Sequence, residues 1–261
     1  MSNTELEQKW EALLENPEMR KKMASLLASQ GEDSLNCITP KVVVVDDLKS
    51  RYQDQSVFMA LLHRQNSIQR WTKSQSIQQE SLNDHCASVA YLGLLIGYKH
   101  KLLNPNENFS PERLSIFCLF HDSPETLGED LNGVLKGSDL TLREKIKETE
   151  ELIAQKMAAT IDSVLAPYIS PYFLMECTTV EKDLVKAADL LSAFAKAKCE
   201  LRSNNADYVY AAGQLLGDLR KYMDKYPAVQ FVYNHYIKAY ELTIDELIMF
   251  LPKVAELENN R

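Results

Sequence analysis

Apolar residues recur at three- and four-residue spacing along most of the chain, which is the pattern of amphipathic helices. Leu6, Trp10, Leu13 and Leu14 follow a capping-box pair, Thr4 and Glu7. Asn16-Pro17 then opens a second helix with Met19, Met23, Leu26 and Leu27 on one face, and Gly31 closes it. Residues 1–31 therefore predict a helical hairpin. A polar loop leads to four consecutive valines at 42–45, a run too short to separate a strand from a buried extended segment. From residue 54 the helical period continues nearly to the end, over 54–66, 81–102, 111–121, 141–165, 179–202, 206–225, 228–241 and 244–258. Capping boxes at Thr141/Glu144, Thr178/Glu181 and Thr243/Glu246 mark three of the starts. The expected fold class is all-α: a helical bundle over 51–261 preceded by an N-terminal helical extension over 1–50.

Composition sharpens that picture. Only 8 Gly and 9 Pro occur in 261 residues, sparse for a chain of hairpins and turns. Strands alternating with helices are missing, as are GxGxxG and GxxxxGK[ST], so dinucleotide-binding and P-loop folds are excluded. The net charge of −8, without a dense Lys/Arg cluster, argues against a nucleic-acid polymer as partner. Five cysteines occur without a CxxC pair, which points to neither a zinc knuckle nor a disulfide framework. Cys86 and Cys118 lie in apolar surroundings and are read as buried small hydrophobes. "MSNTELEQKW" has no signal-peptide pattern and no apolar run is long enough to span a membrane, so no membrane partner and a reducing cytoplasm are expected.

The chemistry concentrates where apolar runs carry ionisable groups. In "FHDSPETLGED", His121 lies on the stripe Leu114, Phe117, Cys118, His121, on a helix opened by Ser110 and Pro111. His85 shares a stripe with Val89, Leu92 and Ile96. Asp189 sits among Ala187, Ala188, Leu190 and Leu191, where an uncompensated carboxylate costs several kcal/mol. Two readings are open: core histidines satisfied by backbone groups with an Asp189–Lys186 ion pair, or one divalent-metal site. His85, His121, Asp122 and Asp189 together form a first shell of imidazoles and carboxylates that suits Mn, Co, Fe, Zn or Mg. Glu125, one turn on, and Asp130, beyond Gly128, are candidates to position the attacking water and manage protons. Glu129 is expected to be solvated.

At this point the sequence resembles the HD-domain superfamily of metal-dependent phosphohydrolases. Its H…HD…D pattern is met by His85, His121-Asp122 and Asp189. A narrower resemblance, over roughly residues 57–215, is to bacterial 5′-deoxynucleotidases. It rests on "QRWTKSQSIQQESLNDHCASVA", "FHDSPETLGEDL" and "EKDLVKAADLLSAFAKAKCEL", with Arg70 and Trp71 fifteen and fourteen residues before His85. The chain departs from that pattern in its N-terminal extension, in Pro124 before Glu125 and in Glu129 before Asp130.

The resemblance implies an HD-domain bundle in which His85, His121, Asp122 and Asp189 bind the divalent metal and Glu125 and Asp130 serve catalysis. It also implies that Arg70 binds the phosphate, as a planar guanidinium suits, and that Trp71 packs on the sugar and excludes a ribose 2′-hydroxyl. Lys186 is either a phosphate contact or the partner of Asp189. The expected substrate is a 2′-deoxynucleoside 5′-monophosphate; the alternative is a deoxynucleoside triphosphate, cleaved to triphosphate. A degenerate, non-catalytic module and a plain helical interaction protein are the readings from other classes. The N-terminal hairpin is expected to pack on the bundle or on a second subunit, giving a homodimer or higher homo-oligomer.

Overall fold

The computed structural model describes residues 52–128 and 140–252. The expected N-terminal hairpin, the valine run, Glu129, Asp130, the Thr141 side chain and residues 253–261 lie outside them, and the helix expected over 244–258 ends at Met249. Nine α-helices occur among the described residues: α1 (Phe58–His63), α2 (Leu82–Leu103), α3 (Pro111–Phe120), α4 (Leu140–Ala158), α5 (Ala166–Phe173), α6 (Thr179–Arg202), α7 (Val209–Lys225), α8 (Pro227–Tyr236) and α9 (Ile244–Met249). Short 3₁₀ turns at Arg64–Ser67, Ser123–Thr126, Ala206–Tyr208 and Ile237–Glu241 join them. The only β feature among these residues is one antiparallel bridge, Gln69 to Ser81.

The bundle is organised by α2 and α6, the two longest helices, which pack on each other, on α3 and on α8. Val89, Leu92, Ile96, Phe117, Leu184 and Leu191 form the centre of the main core. A second apolar cluster gathers Phe58, Met157, Ile161 and Phe173 from α1, α4, the link that follows α4, and α5, with Phe58 edge-on to Phe173 at 5.1 Å.

Two glycines one turn apart set the distance between α2 and α3. A Cβ on Gly97 would lie 2.9 Å from Pro111 Cα, and one on Gly93 would lie 2.4 Å from Cys118 Sγ. Because Pro111 presents backbone, only a hydrogen at position 97 permits that approach without moving a helix. The approach matters because α2 carries His85 and α3 ends at His121.

The caps fall largely where sequence places them. Thr178/Glu181 and Thr243/Glu246 are reciprocal capping boxes, and Ser110 caps α3 with Pro111 in its first turn. Ser81/Asp84 is a further box opening α2, made with Asp where Glu is the usual signature. The expected helix over 141–165 instead ends at Ala158, and α5 starts at Ala166. Asp162 Oδ1 accepts from the Val164 and Leu165 amides, and Pro167 follows in the first turn of α5, so local polar bonding interrupts the apolar period.

Candidate metal centre and active site

His85 enters the site from the first turn of α2 and is wholly buried. Its Nε2 lies 3.1 Å from Asp189 Oδ1 and 3.6 Å from Asp122 Oδ2, while its Nδ1 is 3.3 Å from Ser192 Oγ. Asp189 and Ser192 are three residues apart on α6, so one helix face both meets and orients the imidazole. His121 terminates α3, and its ring centroid is 5.4 Å from that of His85. One candidate ligand atom from each of His85, His121, Asp122 and Asp189 can be chosen so that all lie within 4.8 Å of one another.

The protonation pattern of His121 indicates what this cluster accepts. Its Nδ1 lies 2.7 Å from the Cys118 carbonyl oxygen, which can only accept, so Nδ1 carries a proton. Its buried Nε2 makes no hydrogen bond among the described residues, yet it stands 3.1 Å from Asp122 Oδ2 and 3.8 Å from Asp189 Oδ1. A lone pair aimed at two carboxylates is repulsive unless a cation lies between them. Burial disfavours imidazolium, but the negative charge of Asp122 outweighs burial and raises the His121 pKa well above its ordinary value, the same pull toward a positive charge at Nε2. Burial likewise works against charge on Asp122 and Asp189, and His121, with Arg70 and Lys186 respectively, keeps both carboxyls below the usual range. The mixed N/O donor set fits a divalent metal.

Charge around the cluster points the same way. Arg70 Nη1 is 3.2 Å from Asp122 Oδ2 and 3.8 Å from Glu125 Oε2, and its Nε is 3.7 Å from Glu80 Oε2. Lys186 Nζ lies 2.6 Å from Asp189 Oδ2, so the ion pair that sequence offers as one of its two roles is formed. Four carboxylates thus face two cationic side chains, leaving −2 if both imidazoles are neutral.

Glu125 is buried in the Ser123–Thr126 turn, its amide bonded to the Asp122 carbonyl at 3.0 Å. Gln65 Nε2 donates to Ser123 Oγ at 3.0 Å and ties that turn to the chain preceding Arg70. Arg70 and Trp71 begin a loop closed by Leu82 N to Ile68 O (2.8 Å) and Arg70 N to Glu80 O (2.9 Å). Trp71 takes φ of 58°, a left-handed conformation that is strained for a large side chain. Its Nε1 donates to Glu80 Oε2 at 3.0 Å, and its ring meets Tyr208 at 5.1 Å.

The structure thus gathers His85, His121, Asp122, Asp189, Arg70, Glu125 and Lys186 into one cluster and places Trp71 beside it on the Arg70 loop. Sequence reasoning missed Glu80, which touches both Arg70 and Trp71, and Ser192. The signal for Ser192 was its place three residues after Asp189, within the apolar stretch 190–195; Glu80 gave none.

The all-α bundle with a histidine–aspartate cluster between its helices has the fold of HD-domain proteins. A crystal structure of an HD-domain phosphohydrolase from Listeria innocua shares the fold, with a TM-score of 0.61 at 17% identity over 78% of this chain and 95% of that one. The chain belongs to the YfbR-like 5′-deoxynucleotidase family, whose model matches residues 57–240. Relatives include a 5′-deoxynucleotidase of Photobacterium profundum, 29% identical over 74% of this chain and 99% of its own length. Another, from Pasteurella multocida, is 30% identical over 61% of this chain and 82% of its own. No helix among the described residues is long and apolar enough to cross a membrane.

Proposed function

We propose that the protein hydrolyses 2′-deoxynucleoside 5′-monophosphates to deoxynucleoside and phosphate, using one divalent metal held by His85, His121, Asp122 and Asp189. The observation that carries this reading is the buried His121 Nε2, which faces two carboxylates beside an arginine. Membership of the 5′-deoxynucleotidase family supplies the substrate class. Mn, Co, Fe, Zn and Mg all suit the donor set. When bound, the metal would supply Lewis acidity toward a phosphoryl oxygen and acidify a water.

The remaining roles fall to the chain's own residues. Arg70 binds the phosphate: Asp122, Glu125 and Glu80 hold its guanidinium beside the cluster, where a planar cation suits a phosphate. Lys186 adds a second positive charge beside Asp189. Glu125, buried within 4 Å of Arg70, orients and deprotonates the attacking water. As water attacks phosphorus the P–O5′ bond breaks, and Asp130 delivers the proton to O5′. Trp71 packs on the deoxyribose and fills the space of a 2′-hydroxyl. An exposed apolar stripe on α2, Tyr91, Leu95, Tyr98 and Leu102, supports a homo-oligomer.

Sugar selection gives a direct test. Trp71→Ala is expected to raise kcat/KM for AMP relative to dAMP by roughly tenfold or more, the scale on which a pocket discriminates one small group. The two ratios are measured with the metal-loaded enzyme. An unchanged ratio removes Trp71 from sugar selection.

A further inference from the structure

We infer that Glu200, well along α6 from the metal ligands, is a positioning residue for sugar selection: it fixes the loop over residues 71–80 and, through that loop, the Trp71 indole. The inference rests on the reading of Trp71 as the group facing the sugar.

Glu200 is 1% exposed, and its carboxylate is saturated with donors. Oε2 accepts from the Ile77 amide at 2.9 Å and from Asn205 Nδ2 at 2.8 Å. Oε1 accepts from the Gln78 amide at 3.0 Å and from Lys196 Nζ, and Lys196 also donates to the Gln78 carbonyl. Asn205 Nδ2 reaches the Gln75 carbonyl at 2.7 Å as well. Ser76 Oγ is hydrogen-bonded to the Tyr208 hydroxyl, and the Tyr208 ring is the one that meets Trp71 at 5.1 Å. Every residue from Gln75 to Gln78 is thereby tied to α6 or to the turn that follows it.

The far end of the same loop holds Trp71 by its indole N–H on Glu80 and by the Ser74 amide on the Trp71 carbonyl, 2.9 Å. A tryptophan at φ of 58° persists only where its surroundings over-determine it. The loop has no regular secondary structure of its own beyond the single Gln69–Ser81 bridge, so the side-chain ties supply that constraint. Burial would push the Glu200 carboxyl up, but Lys196 and the two amides hold it down at about 2, so the anchor is a carboxylate near neutral pH.

A purely structural anchor would lower the folded fraction and affect all substrates alike, whereas a positioning residue changes their ratio. The test uses full-length, metal-saturated enzyme. Kinetics on dAMP and AMP are compared for Glu200→Gln and for two milder variants that each cut one or two ties, Ser76→Ala and Asn205→Ala, with Trp71→Ala as reference. A second readout is Trp71 emission in a Trp10→Phe background, where Trp71 is the only tryptophan.

Glu200→Gln is expected to raise the AMP-to-dAMP ratio of kcat/KM roughly tenfold, since sub-ångström misplacement of a contacting group carries penalties of that order. KM for dAMP should rise more than kcat falls, metal content should hold, and Trp71 emission should shift to the red. The milder variants should move the ratio in the same direction by less, and they carry the test if Glu200→Gln does not fold. If Trp71→Ala leaves the ratio unmoved, the sugar-facing reading is what fails. If Trp71→Ala moves it while Glu200→Gln, Ser76→Ala and Asn205→Ala all leave it unmoved, the role of Glu200 is overturned and the anchor serves folding alone.

Discussion

Asp189→Asn is expected to abolish stoichiometric metal binding and to lower kcat/KM for dAMP on the order of a thousandfold or more, the several kcal/mol a metal contributes to phosphoryl transfer. The substitution keeps shape and removes charge. Asp189 Oδ1 stands 3.1 Å from His85 Nε2 and 3.8 Å from His121 Nε2, so, like Asp122, it faces both imidazoles. Without it, the cluster loses one of its two anionic ligands and the charge that attracts a dication. The fold should survive, because the stranded partner, Lys186, has a half-exposed side chain that water can solvate. Metal analysis of the purified variant alongside its circular dichroism separates loss of the ion from loss of the fold. A variant that keeps both metal and activity would remove Asp189 from the ligand set.

Glu125→Gln should have the second-largest effect, and by a different route. Metal content and KM should stay near those of the wild type while kcat falls roughly 10²- to 10⁴-fold, the range for loss of a positioned acid/base group. Glu125 is fixed by the turn that also presents Asp122, through the 3.0 Å bond between its amide and the Asp122 carbonyl. The amide side chain preserves size and buried packing but cannot take a proton from water. Wild-type kcat in this variant, measured with metal verified in the sample, would require a different base.

These effects fall on residues that sequence brought forward, and the reason is physical. His85, His121 and Asp189 stood out because a helix's apolar stripe is the wrong place for an imidazole or a carboxylate unless something compensates it. The helices that carry them start at strong local signals: Ser81, Ser110-Pro111 and Thr178/Glu181. A fuller reading of α6 was available in the same terms. Lys186, Asp189, Ser192, Lys196 and Glu200 recur at three- and four-residue spacing on a helix rich in Ala and Leu, a polar stripe running through the core.

What that stripe binds was not legible. Glu200 bonds Ile77 and Gln78, more than a hundred residues away in a loop with no periodic pattern. The left-handed backbone at Trp71 had no signal either, since a tryptophan gives none of the cues of glycine or asparagine. The break after Ala158 was obscured because Ile161, Val164 and Leu165 continue an apolar rhythm while Asp162 turns the chain.

The most direct measurement gives metal-stripped protein Mn²⁺, Co²⁺ or Mg²⁺ and offers dAMP, AMP and dATP in parallel, with products separated by chromatography. Expected are deoxyadenosine and inorganic phosphate from dAMP, little product from AMP, and none without metal. Triphosphate released from dATP while dAMP stays intact would contradict a 5′-deoxynucleotidase.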